Sequence, residues 1–462
     1  MDHVPAGKLN AAVRRWTDLS DLARRVRRRS VDLAMFFHFR PGVKRYIPVA
    51  LKPWIVTEKQ RRELRRRCMV LEHAARRVLA VRATRRDVRE LLPFTEGEER
   101  WMHDAYRGDF ARPETCFSRM DVATDLGRAD WLDRARFLEA NLVGIGATYY
   151  SWCAGRIAAE LFAPRLEKAL GLRLRAEDDI LDMILRRCRA HGARIGRPDP
   201  TVAFLEHKRV EHGPFEYQTM ERIFRERGGK VVVADPVELR RRGGEICFGG
   251  TRVDILYRDP TLLELVEMEE DGDDLRAVRF AFRENRVVSS LGGEADQKSL
   301  FELFSSAKYR DLFTPAERAV FRRHVPWTRL LRGTRTEDPA GRDVDLVGFV
   351  RTRRERLILK PNRDYGGSGI TIGNAVGAAE WDRAIEKGLA APGGVVAQER
   401  IEFNTDVYPV LEGGRVRFED RYIVTGVHAG DDESAFLARM SAEPIVNITR
   451  GGAIVGVLVA NG

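Results

Sequence analysis

The chain has 462 residues, enough for roughly two to four structural units around a large buried core. Its 44% hydrophobic and 32% charged residues describe a soluble globular protein. The net charge of +11 comes almost wholly from arginine, which is compatible with an anionic ligand and makes each of the few lysines informative. The 5 cysteines never form a CxxC pair, which argues against a disulfide framework and against structural zinc. Met1-Asp-His-Val-Pro5 lacks the pattern of a signal peptide and no apolar run approaches spanning length, so a reduced cytoplasmic setting without membrane partners is expected. In that setting the Asn447-Ile-Thr449 sequon has no glycosylation meaning.

From the start to about Arg112 the spacing predicts helices. Arg14-Arg15, Arg24 to Arg29 and Arg61 to Arg67 sit among Leu, Val and Ala at helical intervals, and Thr57-Glu-Lys-Gln60 reads as a capping box. Basic clusters of this kind suit either nucleic acid or the solvated face of an amphipathic helix. No zinc-finger or aromatic RNA-binding pattern accompanies them, so a nucleic-acid partner is not expected.

Phe117-Ser-Arg-Met-Asp121 and Arg136-Phe-Leu-Glu-Ala-Asn141 alternate apolar and polar residues, the period of half-buried strands. Leu126-Gly127-Arg128 lies in the polar stretch between them, so a hairpin is expected. Such a hairpin sets Arg119 and Asp121 on one face beside Glu139 and Asn141. Two carboxylates and an amide oxygen converging there are hard ligands of the kind Mg²⁺ takes. Surface ion pairs on an ordinary hairpin give the same pattern. Tyr149 to Leu172 and Glu177 to His191 then read as helices.

Thr201–Leu205 and Lys230–Ala234 read as buried strands flanking a helix from Phe215 to Arg227, a parallel βαβ pair. Glu245–Phe248 and Val253–Arg258 read as two more strands of this small α/β unit. No GxGxxG occurs in it, so a dinucleotide is not expected. Asp296 to Phe304 is a helix-like run with Lys298 near its start, and Thr314-Pro-Ala-Glu317 is a second capping box. Arg356–Lys360 reads as a buried strand ending in a lysine, followed by Pro361-Asn-Arg-Asp-Tyr-Gly-Gly-Ser-Gly369. A strand-end lysine running into glycines can clamp phosphate, the backbone N–H groups turning toward oxygens beside a point charge. A plain hairpin turn uses the same glycines, and the run is not a Walker A motif. A helix from Ala378 to Leu389 leads to the strand Gly394–Ile401, whose polar end could read an adenine. Strands are expected around Arg421–Val424, Leu437–Met440, Pro444–Asn447 and Val455–Val459.

Lys360-Pro with its glycine loop, followed by Gln398-Glu399-Arg-Ile401, resembles the nucleotide-binding half of an ATP-grasp enzyme. Here Arg119-x-Asp121 and Glu139-x-Asn141 precede those elements instead of following them, with the α/β unit between. That order is similar to the circularly permuted ATP-grasp group and to the synthetase domain of glutathionylspermidine synthase, over roughly Pro48 to Gly462. The resemblance implies an α/β (α+β) architecture. Residues 1–110 would be a helical basic leader and 111–200 would carry the metal-binding hairpin and helices. Residues 201–295 would be a small inserted pre-ATP-grasp domain, and 296–462 the nucleotide-binding subdomains.

It further implies that Asp121, Glu139 and Asn141 hold Mg²⁺. Lys298 and Lys360 would contact ATP phosphates under a loop containing Gly366, Gly367 and Ser368. Gln398, Glu399 and Ile401 would surround the adenine, and Arg439 is a further nucleotide-site candidate. Arg119 would be the catalytic group stabilising the transferring phosphoryl. The implied reaction joins a small-molecule or peptide carboxylate to an amine through an acyl-phosphate, with ATP and Mg²⁺ as cofactors. After Asn141 the family usually carries an acidic residue and a proline, whereas this chain reads Leu142-Val-Gly-Ile-Gly146, so the family's carboxylate substrate does not carry over. The competing classes are a nucleotide-binding protein without ligation, whose basic leader would hold nucleic acid, and a nucleotide-dependent kinase.

Overall fold

A computed structural model describes residues 2–40, 42–106, 116–209, 216–446, 448 and 451–461. The chain is a mixed α/β protein organised around two antiparallel sheets that face each other, a parallel sheet beside them and one long helix behind.

The larger antiparallel sheet runs Ala453–Val455, Ser434–Ser441, Arg415–Ala429, Arg119–Ala123, Arg136–Asn141, with Thr405–Glu412 also paired to Arg415–Ala429. Gly413 and Gly414, at φ of 55° and 80°, make the two-residue turn joining the last pair. The expected hairpin is therefore present, and it docks against strands almost 300 residues later in the chain, Gly426 lying opposite Asp121. The second sheet runs Thr328–Leu330, Val395–Glu399, Leu357–Pro361, Thr371–Ile372, all antiparallel.

The capping box at Thr57 opens a helix over Glu58–Thr84 with both reciprocal bonds made. Its buried stripe, Leu64, Cys68, Leu71, Ala75 and Val78, packs on Val122, Val427 and Phe436 behind the larger sheet. Burying that stripe fixes the sheet's other face toward the second sheet.

Several expectations are corrected by tertiary context. The leader is not wholly helical: Phe36–Arg40 and Val43–Tyr46 form a hairpin, and Trp54–Thr57 pairs in parallel with Val457–Asn461. These short aromatic and β-branched runs are submerged in the helical periodicity on either side. Residues 107 to 112 of the expected leader, and Phe215 of the expected helix, lie outside the described residues. The helix expected through Tyr149 to Leu172 breaks at Phe162 into Thr148–Leu161 and Ala163–Leu170, with Pro164 in the first turn of the second. Val253–Arg258 splits at Asp254, whose carboxylate accepts from Thr201 N and Arg197. The run from Asp296 is helical only over Leu300–Ser305, because Lys298 N and Ser299 N donate across the chain to Asn362. Pro444 to Val446 form no strand, the preceding strand stopping at Ser441, and Asn447 lies outside the described residues. Strand Val455–Val459 divides at Gly456, where a Cβ would meet the Ala154 carbonyl and the Ala158 methyl of a packed helix.

The parallel pair of the α/β unit, Thr201–Leu205 with Lys230–Ala234, forms as expected. Val287–Val288, Ile255–Arg258, Thr201–Leu205 and Lys230–Ala234 lie in that order, all parallel, with helix Tyr217–Glu226 crossing between the last two. Glu245–Phe248 leaves this sheet for a small meander with Leu239–Arg242 and Thr251–Val253.

Candidate functional site

The hairpin register sets Arg119 opposite Asn141 and Asp121 opposite Glu139, with an irregularity between Asp121 and Val122. Directly opposed residues share a face, so these four side chains converge. The irregularity is a bulge at Leu138 that turns Leu138 and Glu139 toward the same cavity while Phe137 stays in the core. Arg119 Nε donates to Asp121 Oδ1 (2.7 Å), Nη2 to Asn141 Oδ1 (3.1 Å) and Nη1 to the Gly146 carbonyl (3.2 Å). Arg439 Nη2 donates to the other Asp121 oxygen at 2.6 Å. Burial alone would raise the Asp121 pKa, but the two guanidiniums hold it well below the usual carboxylate range.

Across the cavity, strand Leu357–Pro361 presents Lys360. Its Nζ donates to Gln398 Oε1 (2.7 Å) and lies 3.5 Å from the Leu138 carbonyl, so it bridges the two sheets. Burial lowers this ammonium to about 8, with Glu139 opposing the shift. Lys298 Nζ donates to the Asp364 carbonyl (2.6 Å) and stands 3.6 Å from Glu139. Between the lysines, Asn362 accepts from Lys298 N and Ser299 N and donates to Gln297, which ties the two lysine-bearing segments together. Gly366, Gly367 and Gly369 have φ of 69°, 74° and 66°, the left-handed backbone that only glycine takes freely. A Cβ on Gly367 would come within 2.7 Å of Ile445.

Arg119, Asp121, Glu139, Asn141, Lys298, Lys360, Gly366, Gly367, Ser368 and Arg439 all line one cavity of about 710 Å³ between the two antiparallel sheets. Gln398, Glu399 and Ile401 are placed differently. Gln398 is buried behind the wall between Lys360 and Thr328, and Glu399 is exposed. Ile401 packs on Leu138 and Val424, which themselves line the cavity.

The donor set Asp121, Glu139 and Asn141 is all oxygen and suits Mg²⁺ rather than a softer metal. Glu139 stands 3.6 Å from Lys298, while Asp121 and Asn141 offer an oxygen once Arg439 or Arg119 turns to another anion. Among the described residues no cluster of three or more His, Cys, Asp or Glu side chains forms a metal cage by itself. The set therefore fits Mg²⁺ as a partial shell, completed by waters and by phosphate oxygens.

Three contributors escaped the sequence reading. Asn362 and Gly426 serve through contacts with remote segments, a Cβ at 426 lying 2.7 Å from Arg119 Cγ. Asp259 also lines the cavity, at the carboxyl end of strand Ile255–Arg258. Its position after a parallel strand was the available signal.

The leader's arginines are largely engaged internally: Arg61 with Glu58 and Asp178, Arg67 with Glu63 and His324, Arg82 with Glu99. Among the described residues no helix is long and apolar enough to cross a membrane.

No family model matches the chain, and no curated protein matches it in sequence. Among solved structures it is similar to GSS30, a glutathione synthetase-like effector from Globodera pallida in its apo form. The TM-score is 0.60 at 12% identity, over 95% of this chain and 96% of that one. A protein from Methylobacillus flagellatus KT provisionally named a gamma-glutamylcysteine synthetase covers 81% of this chain and 82% of its own at 11% identity. Its TM-score of 0.36 is too low to carry an argument. At 12% identity the first likeness concerns the fold alone: the chain has a glutathione synthetase-like fold.

Proposed function

We propose that the protein is an ATP- and Mg²⁺-dependent carboxylate–amine ligase of the circularly permuted ATP-grasp kind, ADP-forming and working through an acyl-phosphate. The observation that carries this reading is the facing of Asp121, Glu139 and Asn141 against Lys298 and Lys360 across one cavity clasped by two antiparallel sheets. The glutathione synthetase-like fold supports it. So does the docking of an early hairpin on late strands, the arrangement that a permuted chain order requires.

On this reading Lys360 and Lys298 hold the triphosphate, and the glycine loop covers it with backbone N–H groups. The substrate carboxylate attacks the γ-phosphorus; an O–P bond forms and the bond to ADP breaks. The amine nitrogen then attacks the acyl carbon, forming the C–N bond while the C–O bond to phosphate breaks and phosphate leaves with the electron pair. Arg119 and Arg439 lie where negative charge accumulates, and such preorganised cations supply most of the catalysis in phosphoryl transfer. Mg²⁺ held by Asp121, Glu139 and Asn141 would neutralise phosphate charge. No protein nucleophile takes part.

Incubation of the pure protein with ATP, Mg²⁺ and pools of amino acids, amines and short peptides, with separation of ADP from AMP, tests the reading. Substrate-dependent ADP together with a new amide product is expected, and Asp121→Asn or Glu139→Gln should abolish it. A second reading is favoured by the double guanidinium cap on Asp121, which already compensates that carboxylate without a metal. In that case the protein binds nucleotide without ligating, and calorimetry would show ATP binding with no ADP released from any pool.

A further inference from the structure

In an open parallel sheet, ligands collect beyond the carboxyl ends of the strands. Here those ends carry Glu206 after Thr201–Leu205, Asp235 after Lys230–Ala234 and Asp259 after Ile255–Arg258. The first two are engaged locally. Glu206 accepts from Gln218, and Asp235 caps the turn after it and accepts from Lys208 N. Asp259 alone of the three lines the 710 Å³ cavity.

Its surroundings are those of a carboxylate lacking a counterion. Tyr217 Oη donates to Asp259 Oδ1 at 3.2 Å, and among the described residues no Lys, Arg or His lies within ion-pair distance of it. It is half-buried. Burial and the negative charge of Glu264 push it up to about 6 against the Tyr217 hydrogen bond and the more distant Arg258 charge, so at neutral pH it is still mostly ionised. A buried or half-buried charge without a partner is costly, and a binding site is one place where that cost is met by a ligand.

Its backbone packs against the segment that follows Asn141. Gly144 packs so closely that a Cβ would lie 3.0 Å from the Asp259 carbonyl, and its φ of +63° also favours glycine. Two residues on, the Gly146 carbonyl accepts from Arg119. The segment Gly144–Gly146 thus spans from Asp259 to the guanidinium beside the hairpin acids. An ammonium held at Asp259 shares the cavity with the guanidinium at which an acyl-phosphate would sit.

We infer that Asp259 is the amine subsite: it binds the substrate's protonated primary amine and takes a proton from it as the nitrogen attacks. This rests on the ligase reading for the reaction, though not for the binding. In the step, one N–H proton passes to the Asp259 carboxylate, which frees the nitrogen's electron pair; the C–N bond forms, and the second N–H proton leaves on the departing phosphate. The C–O bond to phosphate breaks, and phosphate departs with the electron pair. Tyr217 fixes the carboxylate's orientation.

Calorimetry with 1,4-diaminobutane and glycinamide on the full chain tests the binding. Wild type should bind at least one of them, and Asp259→Asn should weaken that binding by about tenfold or more, the scale of one charge-assisted hydrogen bond. ATP affinity should stay within about twofold, while Tyr217→Phe, which keeps the charge, should retain most of the amine affinity. Should the Asn variant not fold, wild type decides by itself: 1,4-diaminobutane should bind and its uncharged counterpart butane-1,4-diol should not. Binding of neither amine, equal binding of diamine and diol, or unchanged amine affinity in Asp259→Asn overturns the subsite. Hydroxylamine separates this from the ligase reading, since as a small neutral nucleophile it intercepts an acyl-phosphate without needing the carboxylate. Hydroxamate formed by both wild type and Asp259→Asn, with amide formation lost only in the variant, supports both claims. Amine binding lost in the variant, with no hydroxamate from either protein, supports the subsite and removes the ligase.

Discussion

Gln398 makes contacts in the structure that its position in the sequence does not disclose. Its strand-end position suggests contact with a base, yet its amide oxygen receives the Lys360 ammonium and its nitrogen donates to Thr328. Without that acceptor a buried ammonium loses stabilisation and its pKa falls below the present value of about 8. Gln398→Leu should therefore weaken ATP binding at pH 8 by about tenfold, one pKa unit being worth about 1.4 kcal/mol. Tripolyphosphate should be weakened equally, because the effect runs through Lys360; calorimetry showing loss for ATP only would assign Gln398 to the base instead. Gly426 makes a similar point for Arg119. Any Cβ there lies on the Arg119 side chain, so Gly426→Ala should displace the guanidinium without removing it. ADP release should fall by roughly a hundredfold, the loss typical of one charge-stabilising donor, with ATP affinity within a few-fold. Steady-state turnover beside calorimetry checks this, and full turnover in the variant would detach Arg119 from catalysis.

Helix Pro315–His324 meets the long helix Glu58–Thr84 through an Arg77–Glu317 ion pair and through an imidazole. Arg67 Nε donates to His324 Nε2 at 3.0 Å, which makes Nδ1 the protonated nitrogen, and that N–H donates to the Ala135 carbonyl at 3.0 Å. Burial lowers His324 from 6.5 to about 4, the Arg67 charge adding to the shift. The unfolded chain then binds a proton that the folded chain refuses. This stability is present above about pH 6.5 and is lost as the pH falls toward 4, by at most about 3 kcal/mol. Urea titrations at pH 7 and pH 5 should show wild type losing more than His324→Asn over that interval. Equal losses would mean the helix contact is indifferent to protonation. The difference between the proteins is the informative quantity, because buried acids such as Glu216, raised to about 7, act in the opposite direction.

The molecule as a whole is closed by contacts between its two ends. Trp54–Thr57 and Arg173–Ala176 flank Val457–Asn461, whose Val457, Leu458, Val459 and Ala460 are almost wholly buried. Lys52, also fully buried, joins Asn10, Asp406 and the Val407 carbonyl. At about 1.5–3 kcal/mol for each large apolar side chain, the last strand contributes an amount comparable to a domain's entire net stability. Truncation after Gly456 should abolish cooperative thermal unfolding, as followed by circular dichroism. A sharp transition within about 5 °C of wild type would show that the strand is peripheral, since 1 kcal/mol shifts Tm by only a few degrees in a chain of this size.

Sequence alone determined what depends on near neighbours. Period-2 alternation disclosed both strands of the 119–141 hairpin, which the register bears out. The capping boxes at Thr57 and Thr314, the parallel pair Thr201–Leu205 and Lys230–Ala234, and the helix after Ala378 follow from local side-chain to backbone bonding and hydrophobic period. Tertiary structure decided whatever depends on remote groups. Strand Trp54–Thr57 exists because Val457–Asn461 lies beside it, and Lys298 and Ser299 stay out of the helix because Asn362 takes their N–H groups. The cavity itself is such a product: its lysines, arginines and carboxylates come from segments up to about 300 residues apart. Each of those segments is locally ordinary. Register within the hairpin gives Arg119 its carboxylate and amide, and neighbouring strands give Lys360 its glutamine, but only the closing of one sheet on the other brings these groups to one cavity, because nothing local to either segment specifies the other.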